Sequence, residues 1–303
     1  MIGIISLDSC DILLKEDANC ANKLEKFKKS ACDNEVVFVE MQPLNNDYWT
    51  DPETWEYRIE CKTAFEWFIG NETHYIKKLQ NYVRDWKQEH TLRNHKIDVL
   101  NEKFYFLEQC EVGELSGDAV IICKNSTIHK MQGNSKIISM HGCSYVDEMS
   151  GNSSITIAMD KCCVHRMCNT TQIQSLRGYA RVSEMLHNST IQTMLENSRI
   201  GNMHGESIVR IMHNHSIVEK MFGDAIVKEM WGWSCINEMS DCSIIFHMYQ
   251  NSSVNEMRER SIVVNMHNAS EVDKLYDSAI ARRQGGRIIL VPRGVKRKVP
   301  RRK

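Results

Sequence analysis

A nine-residue repeat occupies about half of this chain and leaves few folds open to it. Met131, Met140 and Met149 are spaced by nine; after one gap at Ala158 the column resumes at Met167 and runs through Leu176, Met185, Met194, Met203, Met212, Met221, Met230, Met239, Met248, Met257 and Met266 to Leu275. Fourteen of the 17 methionines stand on it, so the spacing is architectural rather than compositional. Ile or Val precedes each column residue by three positions, from Ile128 through Ile200 to Val272. A small residue, usually Ser, precedes it by five, as at Ser126, Ser144, Ser189, Ser207 and Ser216. The unit reads Ser-x-Ile-x-x-Met-x-Gly-Asn.

One fixed period over 17 units means stacked supersecondary structure. Ser-x-Ile alternates with a period of two, which points both side chains to one side of a short strand. Ile, Val and Thr favour strands. The Gly, Asn, Asp or His pair after the Met suits a tight corner with positive φ. Nine is a poor multiple of 3.6, which argues against a helical repeat. Stacked coils set like residues over like, and the unbranched, polarizable Met fills the space that the small Ser leaves.

The column just after the Ser sets the coil length. Ile208, Ile226, Ile244, Ile262 and Ile280 recur at every second repeat unit, with Cys235, Ser253 and Glu271 between them, although Ile217 is also apolar. Two nonapeptides per coil and two flat faces follow; a three-sided coil of three nonapeptides is the alternative. At ~4.8 Å per coil, about eight or nine coils make a stack about 40 Å long. The expected fold is mainly β: a nonapeptide-repeat β-solenoid of about 18 residues per coil over 111–284, with a small α/β cap over 1–110 and a closing strand and basic tail over 285–303.

The cap carries no repeat. Asn22–Ala31 and Thr63–Glu89 read as helices, the second broken near Gly70-Asn71. Phe65, Trp67, Phe68, Tyr75, Ile76, Leu79, Tyr82 and Val83 give the second an apolar face at helical spacing. Val36–Val39, Trp55–Ile59 and Lys103–Leu107 read as strands, and Arg287–Pro292 as the strand that closes the last coil. A solenoid needs its open end covered, and the N-terminal segment is the natural cover. Within it, Asp51-Pro52-Glu53-Thr54-Trp55-Glu56-Tyr57-Arg58-Ile59 resembles the tryptophan-containing hairpin of a small bacteriophage-encoded domain of unknown function. The resemblance spans Lys26–Glu60; Glu60-Cys61 stands where that family has Lys-Pro. It implies a phage or mobile-element origin and no activity.

Formal net charge is −1, unevenly spread: no acidic residue follows Asp277, ten Lys or Arg lie in 282–303, and the remainder therefore carries −11. The N-terminus lacks a basic, signal-like start, and no apolar run reaches the ~18 residues that span a bilayer, so a cytoplasmic protein with no membrane contact is expected. Twelve scattered Cys in a chain of this size read as reduced thiols.

Several residues invite a functional reading. The outward column Ile208, Ile226, Ile244, Ile262 and Ile280, widened by Phe246 and Val264, is a second apolar column that needs cover, from a second copy or from within the chain. His213, Trp231, Tyr249 and His267, with Trp233 nearby, form an aromatic patch that stacks on itself or grips bases, sugars or a partner protein. Arg293, Lys296, Arg297, Lys298, Arg301, Arg302 and Lys303 are suited to non-specific phosphate contact, with no interleaved aromatics to read sequence. Cys163, His165 and Cys168 are a weak metal candidate, without the spacing of a zinc finger. Glu60-x-Lys62, with Asp47 or Asp51 upstream, is a minimal nuclease-like pattern. The inward Ser column is structural, because a nucleophile needs a base and an oxyanion hole. Asp160, Asp224, Asp241 and Asp277 are too scattered for a calcium-filled roll. The expectation is a non-enzymatic binding or scaffold protein, without cofactor, acting as a homodimer or with a host or phage protein. A nucleic-acid-associated protein is the first alternative and a metal-dependent hydrolase the second.

Overall fold

The computed structural model describes residues 2–5, 10–13, 37–59, 66–283 and 287–288. The expected helix at Asn22–Ala31, Phe65, the Glu60–Lys62 pair and the tail from 289 onward lie outside them. The chain divides into two compact units, Met1–Leu92 and Arg93–Lys303.

The first unit holds a four-stranded antiparallel sheet of β1 (Ile2–Ile5), β2 (Cys10–Leu13), β3 (Val37–Gln42) and β4 (Glu56–Ile59), in the order β2-β1-β3-β4. Two helices follow, α1 (Glu66–Ile69) and α2 (Glu72–Glu89), parted at Gly70-Asn71. In α2 the residues buried are Ile76, Leu79 and Val83. Tyr82 is exposed, so the apolar stripe is narrower than the sequence suggests. Trp55 is buried, and its indole N–H donates to Thr50 Oγ1 at 3.0 Å. Aromatic rings thus keep their polar edge paired when the body of the ring leaves water.

The second unit is a β-solenoid of about 11 coils, roughly 18 residues apart. Two 12-stranded parallel sheets form its faces. The first face takes alternate strands from Lys96–Leu100 to Arg287–Ile288; the second takes those from Thr91–Arg93, where the division between the units falls, to Ile280–Arg283. The count exceeds the expected eight or nine because coils begin well before the repeat is legible. Leu100, Leu115 and Met131 are stacked in register, so the two coils they bound are shorter than those that follow. From the step between Met131 and Met149 onward the coil length is constant on this face as far as Leu275. At ~4.8 Å per coil the stack is about 50 Å long.

Like lies over like throughout. On the second face Ile173, Ile191, Val209, Val227, Ile245 and Val263 pair in register, as do Leu176, Met194, Met212, Met230, Met248 and Met266. All are fully buried. Each such side chain removed from water contributes about 1.5–3 kcal/mol. In a typical strand the second and fifth residues face inward, and the ladder pairs skip the third. Pairing is interrupted at that residue, and the inward pattern is Ser-x-Ile-x-x-Met rather than strict alternation.

The corners obey one backbone rule. The second residue after the Met column has positive φ at every turn from Gly133 to Asp277. At Gly232, with φ +70°, an added Cβ would also approach Asn214 N to 3.1 Å. Where the corner is not Gly, the side chain often caps the coil below. Asp241 Oδ2 accepts from Gly223 N–H at 2.8 Å, Gln250 Oε1 from Gly232 N–H at 2.8 Å, and Glu196 Oε2 from Gly178 N–H at 2.9 Å. Such bonds offset the ~1 kcal/mol that the left-handed region costs a residue with Cβ.

Candidate functional site

The two faces differ in what they turn outward. On the first face the fourth strand position is mostly charged, from Glu148 to Lys274, with Asn202 as an interruption. Arg166 lies between Glu148 at 3.3 Å and Glu184 at 3.8 Å; Lys220 pairs with Glu238 at 3.3 Å and Lys274 with Glu256 at 2.9 Å. These are half-exposed pairs, each contributing about 0–1 kcal/mol. Where like charges meet, at Glu238 and Glu256, Arg258 lies 3.7 Å from the first and 2.7 Å from the second.

The second face changes character along its length. Its first outward column reads Lys136, Ser154, Gln172 and Thr190, then Ile208, Ile226, Ile244, Ile262 and Ile280, all in parallel register. The first four of these isoleucines are half-buried; Ile280 is 45% exposed and Phe246 38%. Ile211 and Val264 lie half-buried beside them. From Ile208 onward Glu229 is the only carboxylate at an outward strand position of this face among the described residues. Its carboxylate accepts the Trp231 indole N–H at 2.9 Å.

At the corner that ends the same strands, His213, Trp231, Tyr249 and His267 form a column. Trp231 and Tyr249 stack with centroids 4.0 Å apart, and Tyr249 and His267 at 4.8 Å, their planes within 20°. His213 sits 6.2 Å from Trp231, tilted by 30°. Within the column Trp231, Tyr249 and His267 turn their faces to one another, the arrangement of a self-stacking ladder. Trp233 stands in the turn, 62% exposed. His247, absent from the sequence-based patch, joins the column at 5.8 Å from Tyr249 and 6.0 Å from His267. Its position, one before Met248, carries no shared residue type from coil to coil, so no pattern flags it.

The remaining candidates are less well placed. Cys163 is buried and accepts from Arg181 Nε at 3.3 Å; His165 is half-buried two residues on, and Cys168 lies past the strand at the corner. Among the described residues no group of three His, Cys, Asp or Glu is disposed to hold a metal ion. Cys162 belongs to the inward small-residue column, and burial pushes its thiol up to about 12. Asp47 and Asp51 are engaged as local caps, accepting from Trp49 N–H at 3.0 Å and Glu53 N–H at 2.9 Å. Arg84, 2.8 Å from Asp51, holds that carboxyl below its ordinary value.

A Ser, a His and an Asp do come together. Ser139 Oγ lies 2.8 Å from His141 Nε2, and His141 Nδ1 lies 3.9 Å from Asp160 Oδ2. Ser139 is fully buried, and Asp160 Oδ2 is engaged by Gly142 N–H at 2.8 Å. The same i, i+2 bond recurs two coils on, where Arg177 Nε donates to Ser175 Oγ at 2.8 Å. Pairing across a strand end is therefore a habit of this fold, and a nucleophile needs substrate access that Ser139 lacks.

No protein-family model matches this chain, and neither does any curated protein or solved structure.

Proposed function

We propose that this protein is a non-enzymatic scaffold, encoded by a phage or mobile element, whose solenoid pairs with a second copy through the outward isoleucine face. One observation carries the reading. Five isoleucines stack in register beside Arg210, Lys228, Glu229 and Arg282, widened by Phe246 and Val264, and stay partly open to water. A contiguous apolar patch of a few hundred Å² is as large as the largest on a typical soluble monomer, and such patches are often functional. The aromatic column bounds the patch and adds rigid contact area.

Size sets the strength of the pairing. Five strands at ~4.8 Å spacing, each about 16 Å long, offer about 400 Å² per copy and about 800 Å² over two. Stable interfaces bury about 1,200–2,000 Å². The contact is therefore weak and concentration-dependent, with a Kd in the micromolar range or above.

Sedimentation of the full chain up to ~100 μM tests this. Wild type shifts toward dimer with concentration, whereas Ile244→Glu/Ile262→Glu stays monomeric with its unfolding midpoint unchanged. A wild-type chain that remains monomeric throughout removes the pairing. The basic segment supports a second reading, as a handle for nucleic acid: ten Lys or Arg in 282–303 stand without a single acid. A gel shift that fades with salt and with deletion of 293–303 tests that separately.

A further inference from the structure

We infer that one corner of the solenoid is a docking line for a neutral, extended glycan, an unbranched and equatorially linked chain of the cellulose or chitin type. The inference does not depend on the pairing proposed above. Tyr179 and Trp233 stand in turns that follow strands of the second face, each three residues past the Met column. They are 67% and 62% exposed. Rings this open have at least one face in water. Neither side chain has a ring contact or a hydrogen bond among the described residues. Trp231, Tyr249 and His267, by contrast, use their faces on one another.

The backbone sets both rings on one line. Tyr179 N–H donates to Asp160 O at 2.8 Å, Asn197 N–H to Gly178 O at 3.0 Å, His215 N–H to Glu196 O at 2.9 Å and Trp233 N–H to Asn214 O at 2.8 Å, so these positions climb one coil at a time. At ~4.8 Å per coil, Tyr179 and Trp233 are about 14 Å apart. A glycan of this linkage is a ribbon that advances by a similar length per sugar. Rings three coils apart therefore meet the first and fourth sugars of one chain. Asn197 and His215, both exposed, lie at the two levels between. An amide and a neutral imidazole each donate to and accept from hydroxyl groups.

Charge decides the class of ligand. In the four turns 177–179, 195–197, 213–215 and 231–233 the charged residues are Arg177 and Glu196, of opposite sign. Arg177 is bonded to Ser175, and Glu196 accepts the Gly178 N–H. Arg181 and Arg199, two residues past the line, engage Cys163 and Glu219. A nucleic acid draws its affinity from cations along its path. An uncharged polyhydroxyl chain needs ring faces for its C–H surface and amide-type partners for its hydroxyls. Rings carried on a hydrogen-bonded backbone also lose little freedom when they bind.

Calorimetric titration of the full chain with cellobiose, cellotetraose, chitobiose and chitotetraose tests this, with tryptophan fluorescence as a second readout. The tetrasaccharide of at least one series is expected to bind with a Kd below ~1 mM, and at least ~10-fold more tightly than its disaccharide, which reaches one ring only. Tyr179→Ala and Trp233→Ala should each weaken the tetrasaccharide at least ~5-fold and remove most of that length advantage. Both side chains are exposed, so the unfolding midpoint should not move. No binding of any of the four up to ~5 mM overturns the inference. So does equal affinity for tetrasaccharide and disaccharide, or binding that both variants leave intact. Binding of oligo(dT) that depends on Trp233 and fades with salt, in place of glycan binding, assigns the line to nucleic acid and overturns it as well.

Discussion

Met212→Ala probes the central physical claim, that the methionine column fills a closed interior. Met212 is fully buried and lies in register between Met194 and Met230. Truncation removes three heavy atoms and leaves a cavity. Buried Met→Ala changes cost about 2–5 kcal/mol, more where the surroundings cannot collapse. Here the coils above and below are held at a fixed rise by ladder hydrogen bonds, so the upper half, about 3–5 kcal/mol, is expected. Leu275 ends the column and is only half-buried, so Leu275→Ala should cost about half as much or less. Urea unfolding reads both, as a shift in midpoint at unchanged m. A double substitution adds a geometric test. Met212→Ala with Met230→Ala merges two neighbouring cavities and should depart from additivity by ~0.5–3 kcal/mol. Met212→Ala with Met140→Ala, four coils apart, should be additive within ~0.5 kcal/mol. A cost below ~1 kcal/mol for Met212→Ala at constant m would refute the closed interior.

The inward Ser column and the corners give two further tests. Ser243 Oγ donates to Ser240 O at 2.8 Å, whereas Ser207 Oγ has no hydrogen-bond partner among the described residues. Ser243→Ala should therefore cost about 1 kcal/mol, and Ser207→Ala should be neutral or stabilising; equal losses in thermal unfolding would contradict the assignment. Asp241 has its carboxyl held below the ordinary value, first by the Gly223 N–H and then by its bond with Glu259. A depressed folded pKa stabilises above the unfolded value and loses that contribution as pH falls through the folded one. The stability gap between wild type and Asp241→Asn should thus be flat above pH ~5 and close below pH ~4 in urea titrations. A gap that widens in acid would show the sign to be wrong.

Legibility in the sequence tracked the regularity of the backbone. Where every coil has the same length, the Met, Ile/Val and Ser columns mark strand, corner and interior residue by residue. Upstream, Leu100, Leu115 and Met131 occupy the same interior column, but the shorter coils between them break the period. Pattern reading therefore starts the solenoid too late and counts too few coils. Tyr82 illustrates a second gap: spacing places it near the apolar stripe of α2, and only packing puts it in water. His247 illustrates a third: Tyr249 is its near neighbour along the chain, but His267 reaches it only through coil stacking.

What the chain's order of residues determines alone is a parallel stack with a small, branched and thioether interior. A repeat identical in phase forces like residues to lie above like, so each local choice is made many times over and reinforces itself. Which outward residues share a surface was decided only by the closed coil. Consecutive nonapeptides alternate between two faces, so Ile226 and Cys235 separate while Ile226 and Ile244 meet. Hydrogen bonding between every second strand, not adjacency along the chain, sorts one face into paired charges and the other into a half-open apolar surface.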